Sequence, residues 1–156
     1  MIKYSWVLLI SMCYSQSGPP KHNYFLNPGV KFGYAFGESG GFTYGFELSF
    51  VITGRDSKHS SRGITLNYDF ISEGSRVHLG FEYLSPFVGI DVGPTMYTTE
   101  STNNFGFSVI PFLGIFIIPY YNFTYIESDG AFNEIGSYIK IPIQTDHYRY
   151  NWQNSD

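Results

Sequence analysis

The stretch Gly41-Phe-Thr-Tyr-Gly-Phe-Glu-Leu-Ser-Phe50 alternates large apolar side chains with small, hydroxylated or charged ones. Successive side chains of a β-strand point to opposite faces of the sheet, so the stretch predicts a strand with one strongly apolar face. That face packs either against a protein core or against lipid. The choice between these two surroundings decides the fold and the class of function.

The same alternation recurs along the chain and predicts about eight strands. Its clearest segments are residues 30–36, 42–50, 64–70, 77–83, 88–92, 105–109, 121–125 and 135–143. Residues 110–120 are apolar on both faces and show no clear period. No window has sustained helical periodicity, and turn residues separate the segments. We therefore predict one all-β domain over residues 28–152.

The composition is poor in charge and rich in rings. Charged residues make up 14% and aromatic residues 20% of the chain, whereas an ordinary soluble domain has roughly 25% charged residues. The net charge is -4, and the nine Lys and Arg residues are scattered along the sequence. Because a nucleic-acid binder concentrates positive charge on one face, nucleic acid is not an expected partner.

The first residues resemble an export signal. Lys3 precedes the apolar run 6–10, and small residues flank Tyr14 before Gln16, which predicts a signal peptide over residues 1–15 and an N-terminal linker over 16–27. The apolar run is too short to cross a bilayer as a helix. Cys13, the only cysteine, would be removed with the signal. A lipid anchor on Cys13 is the alternative, although Met12 precedes it where bacterial lipoproteins have a small residue.

Two arrangements fit the alternation. In a soluble barrel or sandwich the aromatic face lines the core, and in a membrane barrel it meets lipid. Three features favour the membrane barrel. The polar faces carry fewer charges than a soluble protein needs, and the apolar faces carry more aromatic rings than a core easily holds. The charges on the polar faces also have mixed signs, so they can pair inside a barrel. We predict an inner network of Lys31, Glu47, Asp69, Arg76, His78, Glu82, Asp91 and Lys140, and lipid-facing aromatics at Phe32, Tyr34, Phe42, Tyr44, Phe46, Phe50, Tyr68, Phe81 and Tyr83. The alternative is a secreted, lipocalin-like barrel that binds an apolar ligand.

A signal peptide followed by aromatic alternation of the type Val30-Lys-Phe-Gly-Tyr-Ala-Phe36 resembles the small eight-stranded outer-membrane barrels of Gram-negative bacteria. The resemblance covers residues 28–143 and implies an antiparallel up-and-down β-barrel, an outer-membrane location, lipid as a partner and a monomer. It also implies periplasmic termini and long outer loops that alternate with short periplasmic turns. Separately, we predict the connections 53–62 and 98–104 as places where an extracellular partner could bind. The chain departs from the family in its long 53–62 connection and in its end, Asn154-Ser-Asp156.

Few residues suggest chemistry, and we predict a structural or surface-interaction role rather than an enzyme. Glu82 and Asp91 could form an acid pair and His78 a general base, but structural charges and a buried, hydrogen-bonded histidine are the favoured interpretation. The four histidines are dispersed, which argues against a metal site, and no cofactor motif is present. A second alternative is a barrel hydrolase that uses Asp56, His59 and Ser60 at the rim.

Overall fold

The computed structural model describes residues 22–37, 40–54, 60–99, 101–114, 117–127 and 130–145. All the regular structure in these ranges is β. The strands are β1 (His22–Phe36), β2 (Gly41–Gly54), β3 (Ser61–Ile71), β4 (Gly74–Leu84), β5 (Val88–Thr98), β6 (Asn103–Leu113), β7 (Ile117–Ile126), β8 (Gly130–Lys140) and the short β9 (Ile143–Gln144). The described residues contain no helix that is long and apolar enough to cross a membrane.

The strands form a closed antiparallel up-and-down barrel. Each of β1 to β8 pairs with its neighbour in the sequence, and β8 pairs with β1 to close the sheet. The additional strand β9 pairs with β1 at Phe25 and Leu26. The all-β class and the eight-stranded barrel predicted from the sequence are therefore confirmed, with β9 as an addition that the alternation did not reveal.

The pairing register fixes the slope of the strands. A path of directly paired residues crosses all eight strands and returns to β1 ten residues further along: Leu26, Phe50, Ile64, Phe81, Val92, Val109, Phe123, Asn133 and Phe36. With a rise of about 3.3 Å per residue and about 4.8 Å between strands, this offset tilts the strands by about 40°. A strand of 11 residues, such as β3, then rises about 25 Å along the barrel axis.

The two faces of the wall are opposite in character to those of a soluble domain. Among the described residues, 28 large apolar side chains are exposed, whereas 17 polar or charged and nine hydrophobic side chains are buried. In β2, Phe42, Tyr44 and Phe46 point outward while Thr43 and Glu47 point inward. These outward-facing rings therefore do not line the interior, whereas the lipocalin-like alternative places them around a ligand cavity.

The interior turns apolar on one side, which explains the missing period in residues 110–120. Ile110, Phe112, Ile118, Tyr120 and Tyr138 form a buried cluster on β6, β7 and β8. The outward positions between them are apolar too. With both faces apolar, the sequence loses its alternation at the end of β6 and at the start of β7, which the 113–117 connection separates.

One predicted boundary differs from the structure. β1 begins at His22 rather than at residue 28, so part of the predicted linker is strand paired with β2. This early part alternates poorly because it contains Asn27 and Pro28. The signal peptide, Cys13 and the residues beyond 145 lie outside the described residues.

The connections at 53–62 and 98–104 leave opposite ends of the barrel. We call the end at which β1 begins the N-terminal end; β2 runs towards it and β3 runs away from it, so they join there. β5 and β6 join at the opposite end. A partner bound at one end of the barrel would therefore contact one of these connections and not the other, and an extracellular partner at either of them stays a prediction.

Candidate functional site

Four buried charges near the opposite end form a balanced group, which we call the four-charge cluster: Lys31, Asp69, Arg76 and Glu134. Arg76 Nη2 lies 2.6 Å from Asp69 Oδ2 and 2.5 Å from Glu134 Oε2. Lys31 Nζ lies 2.8 Å from Asp69 Oδ2 and 3.4 Å from Glu134 Oε1. Two cations thus meet two carboxylates, and every charge has an opposite partner, as burial requires.

Glycine makes room for this cluster. The hydroxyl group of Tyr120 donates a hydrogen bond to Glu134 Oε1, and both groups lie against Gly33. A Cβ atom at Gly33 would lie 2.6 Å from the Tyr120 hydroxyl oxygen and 2.7 Å from Glu134 Oε1. Gly33 on β1 therefore leaves the space in which Tyr120 on β7 contacts Glu134 on β8.

A second group near the N-terminal end has more acids than bases. This acidic cluster comprises Glu47, Glu82, Asp91, His78 and Lys140. Lys140 Nζ forms an ion pair with Glu47 Oε1 and lies 3.8 Å from Glu82 Oε2. Asp91 Oδ2 accepts a hydrogen bond of 2.6 Å from Thr65 and lies 3.2 Å from His78 Nε2. Three carboxylates thus face one lysine and one histidine.

A row of hydroxyl groups continues from the acidic cluster around the wall. His78 Nδ1 lies 2.9 Å from Thr95 Oγ1, which lies 2.5 Å from Ser108 Oγ, and Ser108 Oγ lies 2.6 Å from Thr124 Oγ1. Thr124 in turn donates to Asn122 Oδ1 at 3.0 Å. These contacts connect β4, β5, β6 and β7 on their inner faces.

Asp91, His78 and Thr95 form an acid–imidazole–hydroxyl series, the arrangement that activates a nucleophile in hydrolases. However, Thr95 is buried and its hydroxyl group also contacts Ser108. A substrate needs access to the nucleophile, and none of the three residues lines the cavity described below. The three residues therefore connect β4 and β5 in the interior, and the Thr95 hydroxyl group is buried there.

The structure places all eight residues of the predicted inner network inside the barrel, where each is buried. It divides them between two clusters and brings Glu82 directly opposite Asp91 on the neighbouring strand. Glu134 was not among the predicted residues, although its position alternates in step with Lys140 on β8. Tyr120 was not predicted either, because it lies in the segment without a clear period. Of the predicted rim set, Asp56 and His59 lie outside the described residues.

A cavity of about 270 Å³ lies at the N-terminal end of the barrel. Its wall is mainly apolar and includes Phe25, Val51, Leu84, Phe112 and Ile118, while Glu82 and Lys140 contribute charges. The cavity thus adjoins the acidic cluster and not the four-charge cluster.

The outer face carries an uncharged belt. The nine aromatics predicted to face lipid are 41–62% exposed: Phe32, Tyr34, Phe42, Tyr44, Phe46, Phe50, Tyr68, Phe81 and Tyr83. Of the described charged residues, those outside the two clusters are Arg62, Glu73 and Glu127. Arg62 is the second residue of β3, Glu73 is in a turn, and Glu127 follows β7. All three therefore lie at the ends of the barrel.

No group of three or more His, Cys, Asp or Glu residues within the described ranges is arranged to hold a metal ion. Comparison of the chain with protein-family models and with curated proteins finds no match.

Proposed function

We propose that the chain is an integral outer-membrane β-barrel with an interior closed by its own side chains and a structural or surface-interaction role. The observation that carries the proposal is the reversal of the two faces, with polar and charged side chains inside and exposed aromatic and aliphatic side chains outside. In water such a surface is an aggregation liability, since exposed apolar patches on soluble monomers rarely exceed a few hundred Å². In a bilayer the same surface contacts lipid chains, which are apolar as well.

The dimensions support the proposal. A transmembrane barrel presents an apolar band about 25 Å tall, and the tilt and strand length of this barrel give about the same rise. The uncharged belt occupies this height, and Arg62, Glu73 and Glu127 lie at its two edges. Closure of β8 onto β1 leaves no sheet edge between those two strands, which satisfies the requirement that backbone groups be paired in lipid.

A closed interior follows from the size of the barrel and from its contents. Eight strands enclose a space that is just wide enough for side chains to fill. Here the four-charge cluster links β1, β3, β4 and β8 across that space, and the buried cluster around Phe112 fills another sector. The interior charges therefore stabilise the barrel and do not conduct.

A surface-interaction role would use the ends of the barrel. At the opposite end the connections are short: Ser72 and Glu73 join β3 to β4, and residues 99–102 join β5 to β6. So small a surface offers few contacts, which favours the structural role over recognition at that end.

Fractionation of cells that express the full chain, followed by gel migration with and without boiling, tests the proposal. We expect the protein in the outer-membrane fraction, extractable only with detergent, and a folded form whose migration changes on boiling. A monomer in the soluble fraction without detergent would overturn the proposal.

A further inference from the structure

The acidic cluster has an unbalanced charge beside an apolar cavity. Glu47, Glu82 and Asp91 face Lys140 and His78, so even a protonated histidine leaves one carboxylate in excess. The four-charge cluster, by contrast, is balanced. A buried carboxylate in excess is costly unless a proton or a cation neutralises it.

Glu82 and Lys140 are the two members of the cluster that line the cavity, and Glu82 is the acid of this pair. Its side chain is 3% exposed, and its Oε2 atom accepts no hydrogen bond. Lys140 Nζ lies 3.8 Å from this oxygen, which is beyond hydrogen-bond distance. Lys140 instead forms its close ion pair with Glu47. The oxygen therefore has an unused acceptor position, and its residue lines the cavity.

The remaining wall of the cavity suits an apolar or aromatic group. Phe25 and Phe112 contribute rings, and Val51, Leu84 and Ile118 contribute aliphatic groups. Lys140 Nζ lies 5.4 Å from the centre of the Phe112 ring, so this ring already accepts a cation over its face. A volume of about 270 Å³ leaves room for a small organic group in place of several water molecules.

From these features we propose that the cavity at the N-terminal end binds a small organic monocation, a primary ammonium attached to an aryl or alkyl group. The ammonium donates to Glu82 Oε2 and supplies the charge that the acidic cluster lacks. The organic group replaces water against Phe25, Leu84 and Phe112. An inorganic cation would leave this apolar wall unused, and a neutral alcohol of the same shape would leave the charge unbalanced.

Calorimetric titration with 2-phenylethylammonium tests the inference, with 2-phenylethanol and 3-phenylpropionate as probes that change only the charged group. The full chain is used in the medium in which fractionation recovers it, lipid nanodiscs or buffer, so the test does not depend on the outer-membrane proposal. We expect saturable one-to-one binding of the ammonium at least about tenfold tighter than that of the alcohol, and no binding of the carboxylate.

Two variants locate the site. Glu82→Gln should reduce the affinity for the ammonium to that for the alcohol, whereas Glu127→Gln, which removes an exposed acid at the opposite end, should not change it. Leu84→Trp, which fills the cavity without changing a charge, should weaken both probes. Equal affinities for ammonium and alcohol in the unsubstituted chain, or a Glu127→Gln effect as large as that of Glu82→Gln, would overturn the inference.

Discussion

A lysine placed at the middle of the outer belt tests whether that belt meets lipid. Phe46 lies near the middle of β2, points outward and is 61% exposed. Its paired neighbours are Val30 on β1 and Tyr68 on β3, so no charged partner is adjacent in the sheet. Phe46→Lys therefore places an ammonium group within the proposed hydrocarbon layer.

The expected cost is that of a charge at the mid-plane of the bilayer. Lysine on the lipid face of a barrel costs about 2–4 kcal/mol at the mid-plane and about 0–1 kcal/mol near the interfaces. The first figure lowers the folding equilibrium constant by about 30- to 700-fold. In water, by contrast, a substitution at so exposed a position changes stability by about 0.5 kcal/mol or less.

Phe87→Lys is the matched control. Phe87 is 68% exposed, and it lies in the connection between β4 and β5 at the N-terminal end of the barrel. The same change of side chain there should cost about 0–1 kcal/mol. The assay is a urea titration of the protein in lipid vesicles, with the folded fraction read from gel migration. Equal free energies of unfolding for the two variants would refute the assignment of the belt to lipid.

Three further substitutions or measurements test the interior. Arg76→Met leaves Asp69 and Glu134 with only Lys31 as a cation, so the free energy of unfolding should fall by about 3–5 kcal/mol. Arg62→Met, at an exposed position, is the control. A similar small loss for both variants would contradict the ion-pair account. Gly33→Val should destabilise by about 1–3 kcal/mol because it overpacks the space beside Tyr120 and Glu134. Gly41→Val, where a Cβ meets its nearest atom at 3.3 Å, should cost less in the same urea titration. In planar bilayers the purified protein should show no steady ion conductance, and a stable open level would show that the interior is not closed.

The outer and inner faces were largely predictable because a strand has a period of two residues. In β2 and β3, the alternation alone separates Phe46 and Tyr68 from Glu47 and Asp69. It failed where the interior itself is apolar, around Ile110 and Phe112, and at the start of β1, where Asn27 and Pro28 interrupt the period.

The pairing of the inner charges was not predictable from local sequence. Arg76 contacts Glu134, which is 58 residues away in the chain, because closure of the barrel brings β4 and β8 to opposite sides of one narrow interior. Which charges meet depends on the offset of ten residues around the sheet, a property of all the pairings together. The excess of carboxylates in the acidic cluster and the cavity beside Glu82 follow from the same closure.

Accessibility of single spin labels tests the central claim most directly. The only cysteine, Cys13, is replaced by serine. A single cysteine that carries the label then replaces, in turn, Tyr44, Phe46 and Leu48, which point outward, and the exposed turn residue Glu73. In lipid vesicles we expect oxygen, which dissolves in lipid, to relax the three β2 labels, and a water-soluble nickel chelate to relax only the label at residue 73. Relaxation of the β2 labels by the nickel chelate to the same extent as at residue 73 would contradict the claim that this face contacts lipid.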